Sequence, residues 1–207
     1  MQVIAHRGLW KDPQKKNTKE SFIRAFDAGL GTETDLRDIC GKIVISHDMP
    51  QGNEISFEEV LQLLDGRNLP LALNIKADGQ AEEIKSLLAK YHHTNYFCFD
   101  MSIPDMVVQI EHGLKVYSGM SDLMPEPVML QYADGIWLDC FESDWYSSEV
   151  IDKLLKQGKK VCIVSADLHK RETKKQWETV SKVKNFASED LMLCTDKPLE
   201  AKKYWGI

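Results

Sequence analysis

No stretch of this sequence stays apolar for anything near the roughly 20 residues of a membrane-spanning helix, so no such span is expected. The N-terminus has no charged leader region or long apolar segment. It enters strand-like Met1-Gln2-Val3-Ile4-Ala5 at once, which argues against a secretory signal and for a soluble, cytoplasmic protein. Cysteines are few and unpatterned. Cys40, Cys98, Cys140, Cys162 and Cys194 are odd in number and lack CxxC or zinc-finger spacing, so they read as small buried hydrophobes in a reducing compartment. A basic excess is also missing. With 26 Lys and Arg against 32 Asp and Glu, the formal charge is −6, which excludes a general nucleic-acid-binding face. An anionic small molecule stays compatible, because a metal ion or a few local cations can reverse the sign inside a pocket. No Gly-rich phosphate loop follows any strand-like run, so a dinucleotide-binding fold is excluded. Linkers, repeats and low-complexity tracts are absent, and residues 1–207 are expected to form a single domain.

What is present is alternation. Short apolar or β-branched runs predict strands at 3–5, 31–36, 43–46, 71–75, 96–99, 115–117, 135–138, 160–164 and 191–194. Helical periodicity fills the intervals at 19–28, 57–64, 81–91, 104–112, 147–157 and 172–186, with a weaker turn near 122–131. Ser56 followed by Glu59 has the form of a capping box. Alternation of this kind implies parallel strands joined by crossover helices, and runs such as Val161-Cys162-Ile163-Val164 suit strands covered on both faces. The expected architecture is a (β/α)8 TIM barrel, with a doubly wound open sheet as the alternative. Nine strand candidates are one more than the barrel needs, so one is an extra strand or a loop.

Polar residues with chemical potential gather at the predicted C-terminal strand ends, where barrel active sites lie. The first strand ends in His6-Arg7-Gly8, the second carries Glu33-Thr34-Asp35, the third ends in His47-Asp48 and the fourth in Asn74-Ile75-Lys76. Later strands end in Asp100, Asp139, Ser165 and Thr195-Asp196. Residues i and i+2 of a strand share a face, so Glu33 and Asp35 point to one place. Two carboxylates there are costly unless a cation joins them, and oxygen ligands suit Mg2+, Mn2+ or Ca2+ better than zinc. The competing explanation is that Arg7, Arg37 or Lys76 satisfies them. Trp10 either walls the pocket or packs against a loop.

The ordered set His6-Arg7-Gly8, Asn17-Thr18, Ser21-Phe22, Glu33-x-Asp35 and His47-Asp48 resembles the glycerophosphodiester phosphodiesterase family, and Cys194-Thr195-Asp196-Lys197-Pro198 resembles that family's closing strand. The likeness is dense over residues 3–48 and frames most of the chain. It implies a barrel in which a divalent metal, Mg2+ or Ca2+ with Mn2+ also possible, binds a small phosphodiester such as a glycerophosphocholine-like compound. It further implies His6 and His47 as the acid–base pair, Glu33 and Asp35 as metal ligands, and Arg7 as a partner of the phosphate.

Three features depart from the family pattern. Lys16 stands where an acid usually precedes the Asn-Thr pair. Asn74 stands where a third metal carboxylate is usual, with Lys76 retained two residues later. Only Met49–Ile55 separates the His-Asp pair from the helix at 57–64, where relatives carry a substantial insert that helps to recognise glycerol. The leading expectation is a metal-dependent phosphodiesterase that hydrolyses a small glycerophosphodiester to a phosphomonoester and an alcohol. A catalytically altered or inactive member binding a phosphorylated ligand, favoured by Lys16 and Asn74, and a phospholipase-like lipid diesterase are the alternatives. The oligomeric state is not readable.

Overall fold

Strands and helices form where hydrophobic patterning places them. In the computed structural model, which describes residues 1–207, the strands are β1 (Gln2–His6), β2 (Gly31–Ile39), β3 (Lys42–Ile45), β4 (Leu71–Ile75), β5 (Tyr96–Phe99), β6 (Tyr117–Met120), β7 (Gly135–Leu138), β8 (Lys160–Val164) and β9 (Leu191–Thr195). The helices are α1 (Lys19–Asp27), α2 (Phe57–Leu64), α3 (Ala81–Lys90), α4 (Ile103–Glu111), α5 (Ser148–Lys156), α6 (Lys174–Val180) and α7 (Pro198–Trp205). None is long and apolar enough to cross a membrane. Two compact units divide the chain: Ala5–Val116, and Met1–Ile4 together with Tyr117–Ile207.

In the first unit the strand order is β5-β4-β2. β2 and β4 run parallel with Asp35 opposite Asn74, and β4 runs parallel to β5. β3 is the supernumerary strand. It pairs antiparallel with β2 and lies off the main path. Only Cys40 and Gly41 separate the two strands, and both have positive φ (50° and 77°), the signature of a two-residue hairpin turn. A parallel crossover would need a dozen or more residues. Phe22, Phe26, Leu36, Phe57, Leu64, Leu73 and Ile84 form the core of this unit, each contributing about 1.5–3 kcal/mol through burial.

Helix starts are fixed by side chains. The Ser21 N–H donates to Thr18 Oγ1 (3.3 Å) and the Thr18 N–H to Ser21 Oγ (3.2 Å), a reciprocal cap on α1. Ser56 and Glu59 do the same for α2, as their spacing predicts. Gly8 explains the third residue of the His-Arg-Gly motif. Its φ is +84°, and a Cβ there would lie 2.5 Å from Ser21 Oγ, so only glycine lets the strand end pass this close to α1.

In the second unit β6, β7, β8 and β9 are successive parallel neighbours. Ile136, Leu138, Ile151, Val161, Ile163, Val180, Leu191 and Leu193 fill its core. Trp177 packs edge-on against Tyr204 and tilted against Trp205. The predicted strand at 115–117 starts later, at Tyr117. Val116 makes only a single bridge to Cys98, whereas the ladder with β7 begins at Tyr117. Sequence periodicity also extends α6 too far. The chain leaves the helix at Ser181, whose hydroxyl accepts the Trp205 indole N–H. No helix forms at 122–131. Helix α7 has no counterpart among the expected elements, although Pro198 at its start and Gly206 (φ 67°) at its end are standard signals. Four cysteines are buried as expected, and Cys40 in the hairpin turn is exposed.

Candidate active site

The strand alternation of β2 sets the site. Glu33 and Asp35 project to one side, 1% and 0% exposed respectively. Asp35 is heavily compensated. Arg7 Nε lies 2.7 Å from Oδ2, Lys76 Nζ lies 3.5 Å from Oδ1, and the Asn17 amide donates to Oδ2 at 2.8 Å. Arg7 reaches it from a left-handed backbone (φ 60°), its own N–H donating to the Glu33 carbonyl. The proposed alternative of cationic satisfaction therefore applies to Asp35, through Arg7 and Lys76. Arg37 instead donates to the His47 carbonyl.

Glu33 is different. Burial and the neighbouring Asp35 charge hold its carboxyl well above the usual range, despite the opposing positive charges of Arg7 and Lys76. His6 Nε2 stands 3.7 Å from Glu33 Oε2, and that oxygen receives no hydrogen bond. Asn74, opposite Asp35 on β4, donates from Nδ2 to Asp100 Oδ2 (3.2 Å), while its buried Oδ1 also lacks a donor. Buried acceptors without donors are costly and rare. Two such oxygens on adjacent strands fit a hard, oxygen-seeking cation. No group of three or more His, Cys, Asp or Glu side chains converges as metal ligands, so an oxygen set here relies on the Asn74 amide.

His47 lies beyond β3 on the connection to α2. Its ring is half-exposed, with Nδ1 2.9 Å from Asp48 Oδ1. His47 shares with Arg7 a cleft of about 660 Å3 whose walls are residues 13–19 and 45–59. Trp10 donates its indole N–H to the His6 carbonyl (3.0 Å), and the Lys16 ammonium sits 4.5 Å from its ring centroid. The tryptophan thus braces the loop after β1 and holds Lys16 by a cation–π contact. The structure links His6, Arg7, Glu33, Asp35, Asn74 and Lys76 through direct contacts and register. His47 joins them only through the cleft.

Sequence reasoning did not assign a site role to Asn17. Clamped at φ 58°, it accepts the Thr34 hydroxyl and donates to Asp35. Its position in the Asn-Thr pair was the available signal. In the second unit, Asp139 at the end of β7 and His169 after β8 form a pair with 2.6 Å between Nε2 and Oδ1. The His169 ring also lies 4.8 Å from that of Phe141. Thirty residues separate the two partners, and no local pattern marks such a pair.

No protein-family model matches the sequence, and no curated protein does. Solved structures do. A glycerophosphodiester phosphodiesterase from Agrobacterium tumefaciens matches with a TM-score of 0.74, over 99% of this chain and 99% of that one, at 15% identity. The chain shares its fold. A phosphodiesterase from Oleispira antarctica, solved with its product sn-glycerol-3-phosphate, matches at 0.69 and 16% identity, over 100% and 97% of the two chains. The likeness to a phosphoribosyl anthranilate isomerase from Thermus thermophilus is weaker, at 0.50 and 12% identity over 97% and 96%. The architecture is accordingly the (β/α)8 barrel expected from the alternation, with eight parallel strands and β3 as the addition. At these identities the likeness speaks for the fold, and function is argued from the site.

Proposed function

We propose that the protein is a metal-dependent phosphodiesterase that hydrolyses a glycerophosphodiester to a phosphomonoester and an alcohol. The observation that carries this reading is the pair of donorless buried oxygens, Glu33 Oε2 and Asn74 Oδ1, next to a histidine and two basic side chains. Glu33, Asp35 and Asn74 would hold the divalent cation, Mg2+ or Ca2+ with Mn2+ as a further option. When bound, it supplies Lewis-acid polarisation of the phosphoryl group. His6 and His47 divide proton transfer between them, one accepting from the nucleophile and the other donating to the departing alkoxide. Arg7 and Lys76 place positive charge beside the nonbridging oxygens, where a phosphate competes with Asp35 for the same guanidinium. Trp10 positions the loop that carries His6 and Lys16. The product-bound relative from Oleispira antarctica supports a small phosphorylated ligand.

A binding protein without turnover is the second reading, and Asp35 favours it. Its charge is already met by Arg7 and Lys76, leaving Glu33, whose Oε2 has no donor, as the better placed of the two β2 carboxylates for a metal. Hydrolysis of glycerophosphocholine and bis-p-nitrophenyl phosphate with Mg2+, Mn2+ or Ca2+, each with and without EDTA, separates the two. Turnover that EDTA abolishes is expected. Ligand-induced thermal stabilisation with no turnover under any metal would overturn the enzyme in favour of the binder.

A further inference from the structure

The two ends of the Asn74 amide have different surroundings. Nδ2 donates to Asp100 Oδ2 at 3.2 Å, while Oδ1 is buried without a donor. A carboxylate only accepts, so the nitrogen must face Asp100 and the oxygen must be the end turned away from it. Partners on neighbouring strands project to the same side, and Asn74 is the partner of Asp35. The donorless oxygen therefore belongs to the face that carries Glu33 and Asp35.

Asp100 reaches Asn74 against the alternation of its strand. Phe99, the last residue of β5, is the partner of Asn74 and shares its side. In extended backbone the next side chain would point to the opposite side. Asp100 instead takes a left-handed conformation, φ 63°, which is unfavourable for a residue with a Cβ. That turn brings the carboxylate back to Asn74. The segments after β4 and β5 are also tied to each other. Asp78 accepts the N–H and hydroxyl of Ser102, and Asp105 accepts the Gly79 N–H.

Electrostatics gives a reason for dividing one ligand between two residues. Asn74 is 6% exposed and shares its face with two buried carboxyl groups. A third buried carboxylate would add repulsion and desolvation where burial, then Asp35, already raise the Glu33 pKa. Asp100 is exposed and stays hydrated, so its charge costs little. That charge is nevertheless felt at Glu33, where it adds to the rise.

We propose that Asp100 is a positioning residue for a divalent cation: it fixes the Asn74 amide with its oxygen towards the cation, and supplies beside it the negative charge that an amide lacks. This rests on the metal-dependent reading above and adds to it a residue that acts through Asn74.

Titration calorimetry with Mn2+, Mg2+ and Ca2+ reads the proposal without turnover. Asp100→Asn keeps an acceptor for Nδ2 but removes the charge, and a unit charge this close to a divalent ion predicts a Kd about 5- to 10-fold weaker. Asp100→Gly removes both, and loss of a ligand's orienting partner weakens metal binding by about 10- to 100-fold. Glycine adopts the left-handed backbone without strain. Metal-free Asp100→Gly should therefore melt no lower than Asp100→Ala in EDTA, although it binds metal poorly. In an Asn74→Glu background the ligand carries its own charge, and Asp100→Gly should then cost about two-fold or less. Unchanged Kd values in Asp100→Asn and Asp100→Gly, or the full cost of Asp100→Gly retained beside Asn74→Glu, would overturn the inference and leave the metal reading standing. Affinity that falls only in step with the melting temperature across the three Asp100 variants would also overturn it, as a merely structural role. A wild-type protein that binds none of the three cations would overturn both.

Discussion

Glu33→Gln removes a buried titratable carboxyl at nearly constant volume. In the metal-free protein, Glu33 Oε2 has no hydrogen-bond donor and the side chain shares its strand face with Asp35. Burial, then Asp35, raises its pKa in the folded state. The folded chain consequently keeps a proton that the unfolded chain releases above the ordinary glutamate value of about 4.3. Where the folded state binds more protons, stability falls as pH rises, and it continues to fall until the raised folded pKa is passed. Glutamine does not titrate, so the variant should lack this slope. A buried group without a partner costs about 1–3 kcal/mol. For a protein of this length each kcal/mol moves the melting temperature by roughly 2–4 °C. Metal-free Glu33→Gln should therefore melt about 2–12 °C above wild type at neutral pH. Added metal reverses the order. Wild type gains about 2.7 kcal/mol at a hundred times Kd, and the variant gains little. Thermal melts by circular dichroism, in EDTA and in Mg2+, Mn2+ or Ca2+ from pH 5 to 8, measure both effects. A variant that melts below wild type in EDTA, or that gains as much from metal, would refute the reasoning.

The other expectations concern separate parts of the molecule. His6→Ala and His47→Ala should each lower kcat/KM for bis-p-nitrophenyl phosphate by on the order of 100-fold or more; near-normal rates in both would mean a different acid–base pair. Asn74→Glu sets a second carboxylate against Asp100, so melts in EDTA should show destabilisation and metal titrations tighter binding; weaker metal binding would remove position 74 from the ligand set. Gly8→Ala forces a Cβ against Ser21 at a positive φ and should cost more than about 1 kcal/mol in urea denaturation, with an unchanged midpoint counting against the close approach. His93 is buried, and burial lowers its pKa. Its neutral form therefore stabilises the fold above about pH 6.5, and that contribution is lost as pH falls through the depressed folded value. Urea midpoints at pH 5 and 7.5 should differ less in His93→Gln than in wild type.

Much of the fold is legible in the sequence because the signals are local. Leu71–Ile75, Tyr96–Phe99, Gly135–Leu138 and Lys160–Val164 begin and end where their apolar runs do. Buried parallel strands need apolar residues on both faces, and that requirement sets their limits. The Ser56 and Glu59 cap is a contact over three residues and was equally readable. The role of β3 was less so, since a four-residue apolar run looks the same in a barrel strand and in a hairpin arm. The short Cys40-Gly41 turn decided it.

The site divides in the same way. Strand periodicity by itself determined that Glu33 and Asp35 share a face, and strand order placed His6 and Asn74 near them. Tertiary structure alone decided that Asp35 is ion-paired with Arg7 and Lys76 and hydrogen-bonded by Asn17, while Glu33 Oε2 has no donor. It also decided that Asp139 pairs with His169. The reason is physical. Periodicity fixes which way a side chain points, but compensation of a buried charge depends on which groups from distant segments come within a few ångströms, and only the packed chain brings them there.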